Sequence, residues 1–164
     1  MHWMVWGLLL ASAGAAAGEA GSLRPGLEQA LLCGRQPEQV IDWLSARVGE
    51  DGSEGRVTAS GEELDYRIEV ALKAPIRIAG ARTHKVVWHV EGQPDFGGII
   101  FAEFAGDART AVAALRLRRA QGEETHMGRF LREMADGSLC PRTILLTPVS
   151  GSRFLLGCGW CNGG

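Results

Sequence analysis

The chain lacks any excess of charge: 17 basic and 19 acidic side chains leave a formal net charge of −2 over 164 residues. Nucleic-acid binders carry a clear basic surplus, so nucleic acid is not an expected partner. Lysine is scarce, two residues against 15 arginines, a bias that points to a GC-rich bacterial genome. Internal repeats and long low-complexity linkers are missing, so one domain is the default at this length. Catalytic fingerprints are missing as well. Gly97-Gly98 precedes an expected strand and Gly157-x-Gly159 ends one, so neither is a phosphate loop or a dinucleotide motif. Ser150-Gly151-Ser152 has no following helix and is a turn rather than a nucleophile elbow. Asp107 and Glu103 are parted by a turn, and nothing poses them as an acid/base pair. The expectation is no catalytic residue, no cofactor and no metal site.

What is present describes a folded, exported protein. The chain is 46% apolar and 22% charged, ordinary values for a globular fold. Its 23 glycines, about twice the average share, show no three-residue period and imply many turns. No Asp, Glu, Lys or Arg occurs before Glu19, and the run from Met1 closes in Ala-Ala-Ala-Gly. That pattern predicts a secretory signal peptide over 1–17, with Ala15 and Ala17 as the small residues before a cut at Gly18. The run is short for a span of about 20 residues and lacks a basic stop, so no membrane span is expected after cleavage. No cysteine lies near the cut, so a bacterial lipoprotein is not expected. The predicted mature protein, 18–164, is a single disulfide-stabilised α+β domain, periplasmic or secreted.

Two short helices are expected first. Pro25, Leu27, Ala30 and Leu31 belong to one, with Gly34 just past its end; Pro37 opens the next, with Val40, Ile41, Leu44 and Val48 on one face. From Arg56 the period changes from 3.6 to 2. Tyr66 to Leu72 alternates as a half-buried strand, Pro75 interrupts, and Ile76 to Ile78 forms a short strand. Val86 to Val90 and Gly98 to Phe104 read as strands, as do Ala113, Leu115 and Leu117 with Arg116 and Arg118 between them. Short connections make this an antiparallel meander of five to seven strands. Met127, Phe130, Leu131 and Met134 then fall at i, i+3, i+4 and i+7, which predicts one amphipathic helix before a C-terminal hairpin turning at Ser150-Gly151.

The cysteines are Cys33, Cys140, Cys158 and Cys161. Four in an exported chain of this size imply two disulfides. A turn at Ser150-Gly151 sets Pro148 opposite Arg153 and Cys140 opposite Cys161, within bridging range. Cys158 shares a face with Phe154, Leu156 and Trp160, the core side, where a packed helix would bring Cys33. The expected pairs are Cys33–Cys158 and Cys140–Cys161. The rival reading is a redox-active Cys158-Gly-Trp-Cys161, but only three residues follow and no helix can lower the first thiol's pKa. One C-x-x-C with two scattered cysteines is also an incomplete zinc signature.

His84 and His89 are five apart on one expected strand and face opposite ways, too few ligands for a metal. One feature points to a partner. The alternation gathers Arg67, Lys73, Arg77, Lys85, His89, Arg116 and Arg118 on one sheet face, with Glu69 and Glu91 the only acids. Arg67, Arg77, Lys85, Arg116 and Arg118 are therefore the partner-binding candidates, toward an acidic protein or an anionic envelope polymer. The sequence reads as an exported, non-catalytic binding protein acting on another envelope or extracellular protein, an inhibitor or immunity-type role fitting its size. A periplasmic thiol oxidoreductase is the alternative.

Overall fold

The computed structural model describes residues 22–62, 65–91, 98–139 and 141–160. The expected signal peptide, Cys140 and Cys161 lie outside the described residues. Helix α1 spans Leu23–Leu31 and buries Leu23, Leu27, Ala30 and Leu31, one stripe at helical spacing. It ends at Cys33, whose φ of 57° turns the chain left-handed while the Gly34 N–H reaches back to the Gln29 carbonyl at 2.7 Å. Pro37 opens α2, Pro37–Ser45, where its missing N–H costs nothing. Gly26 lets the helices meet closely, because a Cβ there would lie 2.6 Å from the Trp43 ring.

All strand pairs are antiparallel. The strands are β1 Gly55–Glu62, β2 Asp65–Ile78, β3 Ala81–Glu91, β4 Gly98–Ala105, β5 Arg118–Arg119, β6 Phe130–Glu133, β7 Thr143–Ser150 and β8 Arg153–Gly159. They form one sheet in the order β1-β2-β3-β4-β8-β7-β6-β5. A third helix, α3, spans Ala108–Ala114 between β4 and β5. Among the described residues the architecture is α+β, as expected, with eight strands rather than five to seven.

One sheet face carries Ile68, Val70, Val86, Trp88, Ile100, Phe104, Ile144, Phe154 and Leu156, all buried in one core with α1 and α2. Phe104 and Phe154 stack with ring centroids 5.7 Å apart. The other face has a smaller cluster of Ala120, Leu131 and Leu145. Gly157, also on this face, has no room for a side chain: a Cβ would sit 2.1 Å from the Ile100 carbonyl oxygen.

Four expectations are corrected. Pro75 does not end a strand. It lies where the β2–β3 register shifts between Ala71 and Ile76, and in this bulge its missing N–H leaves no gap in the ladder. The expected strand around Ala113, Leu115 and Leu117 is the end of α3. Its start is fixed by the Asp107 carboxylate, which accepts from the N–H groups of Arg109 at 3.2 Å and Thr110 at 3.1 Å. The alanine-rich run then favours helix over a three-residue alternation. The expected helix at Met127–Met134 is instead a 3-10 turn, Gly122–His126, followed by β6. Gly122 takes a φ of 54°, and pairing with β7 sends Phe130 and Leu131 to opposite sheet faces, so each joins a different cluster. Finally, the last hairpin turns at Gly151-Ser152, with Gly151 at φ 53° and a bulge between Pro148 and Ser150. Pro148 therefore faces Phe154, not Arg153.

Candidate functional site

Cys33 and Cys158 form a disulfide with their Cα atoms 5.2 Å apart, joining the end of α1 to the core face of β8. Both are 1% exposed. Beside them the buried end of α1 is closed by a distant arginine. Arg142 donates from one terminal guanidinium nitrogen to the carbonyls of Cys33 at 2.9 Å and Arg35 at 3.0 Å. Its Nε donates to Asp136 at 3.2 Å. Hydrogen bonds from Ser138 and Arg142 hold the Asp136 carboxyl far below the usual carboxylate range. The two carbonyls lie in the connection between α1 and α2, which Arg142 ties to the start of β7.

The cationic face is divided in the fold. Arg67 and Lys85 share the Glu69 carboxylate, at 3.3 and 2.7 Å. His89 Nε2 meets Asp65 at 2.7 Å, and Lys73 donates to the Gly52 carbonyl at 2.7 Å. Arg77 is exposed opposite Arg82. Arg118 stands on β5, the far edge of the sheet, bidentate to Glu124 at 2.6 and 2.7 Å and 3.2 Å from Glu133. Six strand spacings separate β2 from β5, about 29 Å. Arg118 and Arg67 therefore share no patch. The Arg118 fork, with the Gln121 N–H, lowers the Glu124 pKa to about 2 and pins the 3-10 turn.

Arg116 leaves the sheet altogether. It follows the last turn of α3 with φ 53°, while the Leu117 N–H bonds to the Val112 carbonyl at 3.0 Å. This left-handed closure usually belongs to glycine. Arg109, Val112 and Ala113 follow i, i+3 and i+4 and share one side of α3, and Arg116 lies just beyond its end. That side faces Phe130 and Pro148 across an apolar cleft of about 350 Å³, floored by Val112, Leu117, Phe130 and Pro148. Arg109 and Arg116 also line it, both exposed. Among the described residues no carboxylate lies within ion-pairing distance of either.

This cleft falls in the range of about 300–1,000 Å³ typical of ligand sites. A second hollow, on the opposite sheet face between Phe101, Met127, Leu145 and Leu155, is about 180 Å³. It lies below that range and carries no charged lining residue. Among the described residues no group of three His, Cys, Asp or Glu side chains is placed to hold a metal, and no helix is long and apolar enough to cross a membrane. The α3 cleft can bury an apolar group beside two cations, Arg109 and Arg116.

Of the five partner-binding candidates, Arg116 lines the apolar α3 cleft, and Lys85 lines a more polar and more open hollow of about 300 Å³ with Arg82, Glu103 and Arg153. Arg109 was missed because the segment reads as a strand when only its alternation is followed. The signal was there: Asp107 as N-cap, an alanine-rich run, and two arginines seven apart. No protein-family model, no curated protein and no solved structure matches this chain.

Proposed function

We propose that this is an exported binding protein that captures another envelope or extracellular protein through the α3 cleft. The observation that carries this reading is an apolar cleft lined by two exposed arginines, Arg109 and Arg116, neither in an ion pair among the described residues. Concave apolar surface beside positive charge is the composition of a recognition site: the apolar floor supplies affinity and the charges select the partner. Arg67, Lys85 and Arg118 already have acidic neighbours and offer less to a partner. Arg116 remains the partner-binding residue, joined by Arg109.

Export to an oxidising compartment fits the Cys33–Cys158 bridge. We assign the other two cysteines to a second bridge, Cys140–Cys161. Cys140 precedes Thr143 by three residues and Cys161 follows Gly159 by two, and Thr143 pairs with Gly159 at the open end of the last hairpin. A Cys158–Cys161 redox pair has less support, since the Cys158 sulfur is buried and already bonded to Cys33.

The test is capture from an exporting host by tagged protein. The R109E/R116E variant should lose a partner that wild type and R67E/K85E retain. Equal capture by all three would remove the cleft from the account.

A further inference from the structure

We infer that the sheet face opposite α1 and α2 carries a second binding site, in which Arg82 and Arg153 hold a phosphate group above Ala105 while Arg77 adds charge beside it. This site is separate from the α3 cleft and does not rest on it.

The strand register builds the site. Arg77 pairs with Arg82, Arg82 with Ala105, Ala105 with Arg153, and Arg153 with Ser150. One row therefore crosses β2, β3, β4, β8 and β7. Phe104 and Phe154 belong to the core, so their chain neighbours Ala105 and Arg153 face the other way. Ala105 is the small residue between two long ones. Over it lies the hollow of about 300 Å³ that Arg82, His84, Lys85, Glu103 and Arg153 also line. Arg82 and Arg153 stand on either side of Ala105, two strand spacings or about 9.6 Å apart.

The charges of this row are not balanced. Arg77 and Arg82 are both exposed and directly opposed, a like-charge pair that costs stability. Neither makes an ion pair or a side-chain hydrogen bond among the described residues. Glu103, the carboxylate that lines the hollow, meets Arg153 at 3.0 Å, and Lys85 is met by Glu69 at 2.7 Å. Two cations are thus left for a ligand. One arginine fork fills the two oxygens of a carboxylate. A phosphate monoester brings three free oxygens and close to two negative charges, so it can accept forks from two arginines on different sides. The open side of the hollow leaves room for whatever the phosphate is attached to.

The probe is inorganic phosphate, titrated at constant ionic strength into the isotope-labelled, oxidised full chain and followed by amide shifts. The expected result is saturable shifts at Arg82, Ala105 and Arg153, with binding about tenfold weaker in R82Q/R153Q, two surface ion pairs being lost. Arg67→Gln, on the same sheet face, and R109E/R116E should bind phosphate as wild type does. A second arm uses phosphatidylcholine vesicles with and without phosphatidic acid. If inorganic phosphate fails but phosphatidic acid vesicles retain wild type and release R82Q/R153Q, the site stands and its phosphate is carried on a lipid. Failure of both probes overturns the inference. So do shifts that chloride or acetate reproduces, shifts confined to α3, or undiminished binding by R82Q/R153Q.

Discussion

Replacing Cys33 and Cys158 with alanine tests how α1 is held. The bridge joins residues 125 apart in sequence. In the chain-entropy account, releasing a loop of that length returns about 16 cal/mol/K to the unfolded chain, about 5 kcal/mol at 25 °C. Native domains hold about 5–15 kcal/mol in all, so the variant should sit near the edge of stability. Conformation separates the bridge from its backbone position. Cys33 lies at φ 57°, and alanine inherits that strain while glycine relieves it. The pair C33G/C158A should therefore recover about 1 kcal/mol relative to C33A/C158A. The assay is urea unfolding of the oxidised wild type and both variants, with slopes compared so that a change in the denatured state is not read as stability. A loss under about 1 kcal/mol in C33A/C158A would refute the reasoning, and would mean that α1 is held by its apolar stripe and Arg142 alone.

Four further outcomes are expected. Arg142→Ala removes two charge-assisted bonds to carbonyls of the α1–α2 connection and should cost roughly 2–4 kcal/mol in denaturant unfolding; no change would mean that water satisfies these carbonyls equally well. Gly157→Ala drives a methyl to 2.1 Å from a backbone oxygen and should cost about 3 kcal/mol or more, read as a drop in melting temperature. Arg116→Gly should stabilise by up to about 1 kcal/mol in the same assay, and a loss would contradict the strained backbone described above. Glu124, whose carboxylate is favoured in the folded state, supports the 3-10 turn above the ordinary glutamate value and loses that support as pH falls through about 2. Its carboxyl carbon should titrate with a midpoint near 2 by NMR, and a midpoint near the ordinary 4.5 would show the Arg118 pair to be absent in solution.

The sequence made the N-terminal helices and the central strands legible because their signals were redundant. Pro37 at the start of α2 and the 3.6-residue stripes agreed with each other, as did period-2 alternation and glycine turns through β2, β3 and β4. The Cys33–Cys158 pairing was legible for a similar reason, since Cys158 falls in phase with Phe154 and Leu156 on the core face. The segment from Ala108 to Glu133 was not. Ala113, Leu115 and Leu117 alternate, yet a capped alanine-rich helix ends there. Met127, Phe130 and Leu131 keep helical spacing, yet over four residues that spacing also suits a strand with an apolar residue on each face. Both errors touch the site: reading Arg116 as a strand residue put it beside Arg118 and hid its partner Arg109. The turn falls one residue later than expected and the bulge between Pro148 and Ser150 takes back only part of the change, so the hairpin register shifts by one residue and undoes the facing argument for Cys140.

The central claim is that a protein partner is held at the α3 cleft, and site-specific photo-crosslinking tests it most directly. A photoreactive amino acid is placed at Val112 in the cleft, or at Thr58, exposed on β1, in the full chain expressed in an exporting host. The account predicts a discrete protein adduct from Val112, lost when Arg109 and Arg116 are changed to glutamate, and none from Thr58. Equal adducts from both positions, or none from Val112, would contradict it.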